Sequence, residues 1–436
     1  MNPHTKLALA LAAGVALAPF AAWAQAGAVS DRAATSPAPP AASPTEPLDR
    51  VDQVPLFDSW AWRRALEDKG VSLLVDFIAE PAVNAVGYKG AGWTYAQEVD
   101  FGAVIDLKKL GWGDDGAVKI LFSDRVGETV QRYTGAYIQD QPYWGQGQNF
   151  RLDEISYTRS FLNDRLSLKA GFYSMGDDFG GLSYVCNYNN NGNCGHPLGL
   201  LYDSGWVDSP TGNWGGRLKW TDPGGWYVVS GVYDVTPKRK SAGEGFDLGF
   251  AHTTGVIVPV EFGYVRGGAP ADYPGIYKAG FYYDSSAVTD LEAPTRTVRG
   301  REGGYIQFAQ QIWKTRPGQI QGISVFGVAT FGDPQTGLFT TSYEAGATWR
   351  GLIPGRKDDY ASVSWVQLNV NSAVGRLQAL AGKPVQTDEQ LFELNYGVQA
   401  APWLLVRPAL QYVTRPGAYS DRPDTFVFSM HLQATF

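Results

Sequence analysis

From Val71 to the end of the chain, apolar residues recur at every second position, segment after segment. Val71, Leu73, Val75, Phe77 and Ala79 alternate with Ser72, Asp76 and Glu80. Tyr95, Val99, Phe101, Ile105 and Leu107 alternate with Glu98, Asp100 and Asp106, and Leu166, Leu168, Ala170 and Phe172 with Arg165, Ser167 and Lys169. Near the far end Phe392, Leu394, Tyr396 and Val398 alternate with Glu393, Asn395 and Gln399. A period of two puts alternate side chains on opposite faces of an extended strand, so each segment has one apolar and one polar face. Sixteen such segments centre near Val75, Phe101, Ile120, Ile155, Leu168, Leu218, Val229, Val260, Phe281, Phe308, Val325, Ala347, Trp365, Leu394, Val406 and Phe428. Most run about 9–11 residues, the length a tilted strand needs to cross a bilayer.

Beyond the N-terminal leader no stretch reaches the roughly 18 consecutive apolar residues of a membrane helix. A closed barrel is the other structure that satisfies every backbone polar group in lipid. The mean hydropathy of -0.20 argues against a helical membrane protein but not against a barrel, whose interior is polar and wet. Gly 52 and 13% aromatic residues suit strands joined by turns. The net charge of -7 makes nucleic acid a poor partner, because phosphate binding needs a basic surface.

Connection lengths point the same way. Short ones, Leu162–Asp164, Thr221–Gly225, Ile353–Asp358 and Ala401-Pro402, alternate with long ones at Val126–Asn149, Ser174–Gly212, Val235–Thr254, Ser285–Glu302 and Asn371–Asp388. Short turns on one side and long loops on the other are the layout of an outer-membrane barrel. The connection Arg266–Pro274 departs from it by being long where a short turn is due. The last segment keeps Phe426, Phe428, Met430, Leu432 and Phe436 on one face and Ser429, His431, Gln433 and Thr435 on the other, and its final Phe suits an aromatic girdle. The expected fold is all-β: a 16-stranded antiparallel transmembrane β-barrel with a short N-terminal helix.

The region before the barrel divides into three. Lys6, the apolar run Leu7–Phe20 and the small residues of Ala22-Trp23-Ala24 form a secretory signal peptide over residues 1–24. An Ala/Pro-rich linker follows over 25–55. Residues 56–70 hold a helix that Asp58 or Ser59 can cap and Gly70 can end. The barrel occupies 71–436, and the expected location is the outer membrane of a Gram-negative bacterium. Cys186 and Cys194, eight residues apart in an exported loop, are expected to form a disulfide, with the Asn-rich run between them a solvated hairpin tip. A metal site is not expected there, since His196 is the lone His nearby.

Parity places Glu98, Asp100, Arg125, Arg165, Lys169, Arg217, Lys219, Glu344, Arg350, Glu393 and Arg407 towards the lumen. Arg125, Arg165, Lys169 and Arg217, with Glu98 and Asp100, flank the two longest early loops and are the expected charged lining. Each taken alone also fits a solvated wall charge or half of a structural ion pair. Trp93, Trp144, Tyr143 and Tyr184 are candidates for stacking on the flat C–H face of a solute, and equally for loop packing or the membrane girdle.

Competing readings are weaker. A barrel lipase needs Ser, His and an orienting group, yet His431 and Ser429 share the lumen face, away from lipid. A secreted glycosidase could use Glu98 and Asp100, about 7 Å apart along a strand, but every strand here offers such pairs. No enzyme activity, cofactor or metal is therefore expected. A general or anion-selective porin is the alternative that the residues separate least.

Several segments resemble the carbohydrate-selective porin family (OprB type). They are Trp60 with Arg63, Leu66 and Gly70; Leu168-Lys169-Ala170-Gly171 with Phe179; Val258–Tyr264; Pro274–Asp284; and Arg407–Gly417. The resemblance covers about residues 56–436 and keeps the family's order. It departs at Ala61-Trp62, where small glycines are expected, and in the Cys186–Cys194 loop. It implies passive diffusion of sugars such as glucose, with long loops folded inward to narrow the pore. Its implied partners are small sugars, outer-membrane lipid and lipopolysaccharide, and the barrel-assembly machinery, reached through the strand ending at Phe436. Porins often form homotrimers, although no interface is readable in the sequence.

Overall fold

The computed structural model describes residues 53–143, 149–267, 273–316 and 319–436. The expected signal peptide and all but the last residues of the expected linker lie outside them. The sixteen segments form sixteen strands: β1 (Val71–Asn84), β2 (Gly92–Asp106), β3 (Ala117–Gly127), β4 (Arg151–Phe161), β5 (Leu166–Tyr173), β6 (Asn213–Thr221), β7 (Trp226–Val235), β8 (Gly255–Arg266), β9 (Gly275–Thr289), β10 (Thr297–Lys314), β11 (Gly322–Phe331), β12 (Phe339–Arg350), β13 (Tyr360–Val370), β14 (Asp388–Ala401), β15 (Leu404–Thr414) and β16 (Thr425–Thr435). Each pairs with its sequence neighbour, and β1 pairs antiparallel with β16 from Asp76↔Thr435 to Asn84↔Val427, closing the barrel. Closure leaves no strand edge exposed to lipid.

The alternation read from the sequence is realised as an outward and an inward face. Phe281, Tyr283, Ile306, Ile312, Leu394 and Phe428 are exposed on the outside. Their neighbours Tyr282, Asp284, Gln307, Gln311, Glu393 and Ser429 are buried inside. One expected loop is shorter than the sequence suggested. The alternation continues into Ser285–Glu302 from both ends, so β9 and β10 pair up to Thr289↔Thr297 and only residues 290–296 connect them. At the Arg266–Pro274 connection, residues 268–272 lie outside the described ones.

A short helix, Ala61–Asp68, lies before β1. Its N-cap is Trp60 and makes no side-chain capping bond, so neither Asp58 nor Ser59 plays the expected part. Gly70 follows with φ +93°, a left-handed conformation that suits glycine. The helix is held by Arg63, which is buried and donates to the carbonyls of Phe436 (2.7 Å) and Leu73 (2.8 Å). Those carbonyls sit on the two sides of the β1–β16 closure, so one guanidinium bridges the seam.

The interior is not a simple water channel. Inward-facing Tyr227, Val229, Tyr233 and Val235 of β7, with Tyr282 and Tyr305, pack on Met175, Phe179 and Trp206 of the β5–β6 loop. Ile276, Phe326 and Val328 pack on Leu182, Tyr184, Val185 and Tyr188 of the same loop. Val366, Leu368, Leu391 and Val413 pack on Ile138 of the β3–β4 loop and Leu198. The loops thus give the β7–β15 side of the lumen a hydrophobic core.

Replacing Arg63 by Ala leaves two carbonyls at the seam without their donor. This is expected to cost about 1–3 kcal/mol, read as a lower urea midpoint for conversion of the folded band in semi-native electrophoresis. An unchanged midpoint would show that the seam holds without the bridge.

Candidate constriction site

The β5–β6 connection, residues 174–212, folds into the barrel and is fixed there by polar groups of the wall. Arg407 of β15 is the centre of this anchor. It donates to Cys186 O (2.7 Å), Asn189 Oδ1 (2.5 Å), Tyr188 O (3.0 Å) and Tyr360 Oη (3.0 Å). Glu393 of β14 accepts from Asn189 N and Asn190 Nδ2, each at 2.8 Å. Glu344 of β12 sits beside Asn193. Cys186 and Cys194 are joined as a disulfide across this segment. The Asn-rich run is therefore no solvated tip: Asn189, Asn190 and Asn193 are fully buried against the wall. Asn suits that role because its amide both donates and accepts, and so satisfies carboxylate, guanidinium and backbone partners together.

The first part of the β3–β4 connection, residues 128–143, also turns inward. Glu389 accepts from the backbone N–H of Tyr137 (2.9 Å) and Ile138 (2.7 Å). Gln141 donates to Glu80 O (2.5 Å) and accepts from Thr94 (2.9 Å). Asp140 is fully buried with no hydrogen-bond partner on either carboxylate oxygen. Burial, then the neighbouring Glu389 and Glu393, push its carboxyl well above the usual range.

Between the two loops and the β2–β3 wall lies a cavity of about 480 Å³. The barrel wall contributes Glu98, Asp100 and Arg125, and the loops contribute Gln139, Tyr143, His196, Tyr202, Asp208 and Lys240. Arg125 Nε meets Glu98 Oε1 at 2.6 Å, and the Arg125 guanidinium lies 5.9 Å from the Tyr143 ring centre. Carboxylates and cations thus stand side by side with aromatic surface around one cavity.

Of the residues singled out in the sequence, Glu98, Asp100, Arg125 and Tyr143 meet here. Lys169, Arg217 and Lys219 face inward on β5 and β6 but do not line this cavity. Lys169 pairs with Glu154 (3.0 Å), and Arg217 pairs with Asp178 (2.9 Å). Lys219 lies 4.2 Å over the Tyr227 ring. Glu344 and Arg407 serve the loop anchor instead. Arg350 closes β12 and pairs with Asp358 of the following turn at 2.9 Å. Arg165 is corrected: it is exposed in the 162–165 turn, because Leu162, Asn163 and Asp164 all take positive φ and end the strand pattern before it. Trp93 is corrected too: it shares the outward face of β2 with Val99 and Phe101 and is exposed there, as a girdle aromatic would be. Tyr184 is buried and donates to Ser324 O at 2.8 Å, which is loop packing. Trp144 lies outside the described residues. The sequence reading missed Gln139, Asp208, Tyr202 and Lys240, which sit in aperiodic loops where parity gives no direction.

A closed sixteen-stranded barrel with polar lumen and in-folded loops defines a diffusion porin of the outer membrane. The chain belongs to the carbohydrate-selective porins: the model of the "Carbohydrate-selective porin, OprB family" matches residues 91–436. It is similar to Porin B of Pseudomonas aeruginosa, 27% identical over 418 residues, covering 87% of this chain and 91% of that one. It is similar also to the putative porin QuiX of Acinetobacter baylyi, 25% identical over 412 residues, 87% of this chain and 93% of that one. Among solved structures, the high-pH structure of Pseudomonas putida OprB superposes with a TM-score of 0.84 at 25% identity, covering 88% of this chain and 99% of that one. Salmonella typhi OmpF, at 9% identity and a TM-score of 0.53, shares the fold alone.

Arg407→Ala is expected to release the Asn-rich segment, because Asn189 and the carbonyls of Cys186 and Tyr188 lose their donor. Single-channel recording should show a larger, noisier conductance, and stability should fall by about 1–3 kcal/mol. A quiet channel of wild-type conductance would refute the anchoring role.

Proposed function

We propose that this porin passes small neutral sugars, glucose among them, by passive diffusion through the cavity between the β3–β4 and β5–β6 loops. The observation that carries the reading is the pairing of Glu98 with Arg125 beside Tyr143 in a cavity of about 480 Å³. That volume lies in the range of about 300–1,000 Å³ typical of single small-molecule sites. Sugar hydroxyls both donate and accept, so adjoining carboxylate and guanidinium groups can replace the water a sugar sheds on entry. The ring of Tyr143 offers a flat partner to its C–H face. Several weak contacts, rather than one strong site, let the solute leave again.

No covalent chemistry is needed for this role, and the reading is of a channel and not an enzyme. The chain reaches the outer membrane by export through a cleaved signal peptide over residues 1–24 and insertion by the barrel-assembly machinery. There it lies among phospholipid and lipopolysaccharide. Association as a homotrimer belongs to the same proposal.

Liposome swelling tests the substrate class. Wild type should admit glucose faster than maltose. Arg125→Ala should slow glucose entry and reduce the difference between the two sugars, because the cationic partner of their hydroxyls is gone. Swelling rates that fall with solute size alone and keep the same ratio in Arg125→Ala, together with an ion conductance that no sugar alters, would instead identify a general diffusion porin.

A further inference from the structure

The loop side of the cavity carries its own charged pair, which the wall residues do not explain. His196 is buried and lines the cavity together with Asp208. Its Nε2 lies 2.7 Å from Gly176 O, and its Nδ1 lies 2.9 Å from Asp208 Oδ2. A carbonyl oxygen only accepts, so Nε2 must carry a proton. A neutral ring would then set the Nδ1 lone pair against a carboxylate. Protonating both nitrogens removes that repulsion and makes the contact an ion pair with Asp208 as counter-ion, close in distance but without the alignment of a hydrogen bond. The Asp208 carboxylate is held from its other side by Ser209 N, at 2.8 Å.

The seat of the ring is built for it. A Cβ added at Gly176 would meet the imidazole Cε1 at 2.5 Å, and one at Gly181 would meet Nε2 at 3.0 Å. Two glycines of the same loop therefore leave the space the ring fills.

We propose that His196 is a positioning and charge-balancing residue of the constriction: as an imidazolium it holds Asp208 in the passage and offsets its charge, so that the pore discriminates little between cations and anions. This rests on the reading of the cavity as the diffusion path. With His196 charged, the carboxylates Glu98, Asp100 and Asp208 are matched by Arg125, His196 and Lys240 among the described lining residues. With His196 neutral, the same set carries an excess of negative charge.

The charged groups around the ring set the direction of its titration. Burial opposes its charge, but the Asp208 carboxylate, the Gly176 carbonyl and, farther off, Asp177 outweigh burial and raise its pKa above the ordinary value. Asp208 answers in kind: burial raises it, yet His196 and then Arg125 of β3 bring it below the usual carboxylate range. Lys240 of the β7–β8 loop, pushed down to about 8 by burial and Arg301, also senses Asp208. A raised His pKa means the ion pair is fully formed below the unfolded value and is lost as pH rises through the folded one. Lys240 titrates in the same direction and must be separated from it.

The test is the reversal potential of the wild-type channel and of His196→Gln and Asp208→Asn in planar bilayers under a potassium chloride gradient, from pH ~5 to ~9, bracketing the ordinary His value. Wild type should shift towards cation selectivity as pH rises. His196→Gln should already be cation-shifted at the low end and should lack the His step, keeping only the components of Lys240 and the wall carboxylate Asp100, which also line the cavity. Asp208→Asn should shift towards anions at every pH. Superimposable pH curves for wild type and His196→Gln would overturn the inference while leaving the channel intact. A wild type that conducts no ions would overturn the channel reading itself, and the inference with it.

Discussion

Every backbone N–H and C=O that enters lipid must find a partner within the protein, because the bilayer core offers none. The rest of this structure follows from that requirement. Sixteen strands satisfy it only if the first meets the last, and β1 does meet β16. The pairing is reinforced where it is most exposed to fraying: Arg63 ties the short helix to carbonyls on both sides of the seam. Closure fixes which face of each strand sees lipid, and so turns a two-residue period into an inside and an outside.

A sixteen-stranded cylinder is wide enough to hold water, and its width creates a second problem, that of discrimination. The chain solves it by filling part of the lumen with its own loops. These loops are held by hydrophobic packing on one side, through Trp206, Tyr233 and Tyr305 among others. On another side buried polar groups hold them, through Arg407 and Glu393. A buried guanidinium is costly unless its donors are used, and Arg407 gives four hydrogen bonds to the loop and Tyr360. Such a set fixes one geometry for the loop, and with it the shape of the cavity that remains.

The strands were legible in the sequence because strand physics is local. Parity alone put Glu98, Asp100 and Arg125 inside, and they do line the cavity. Parity also put Arg407, Glu344 and Lys169 inside, yet it could not tell a residue that faces water from one that faces a loop. Arg165 shows a different limit, since three left-handed residues end the alternation just before it. The Asn-rich run reads as polar and therefore solvated. Its burial depends on Glu393 and Arg407, which lie some two hundred residues away in the chain.

The sequence by itself determined the number of strands, their faces and their closure, because period-two alternation and the absence of a membrane helix admit few other solutions in lipid. Only the tertiary structure decided where the loops leave a cavity and which charges border it. Loops carry no periodicity, so their direction is set by distant partners. His196 faces Asp208, and Lys240 joins the same cavity, because the wall and the loop cores leave the β5–β6 and β7–β8 loops one place to go.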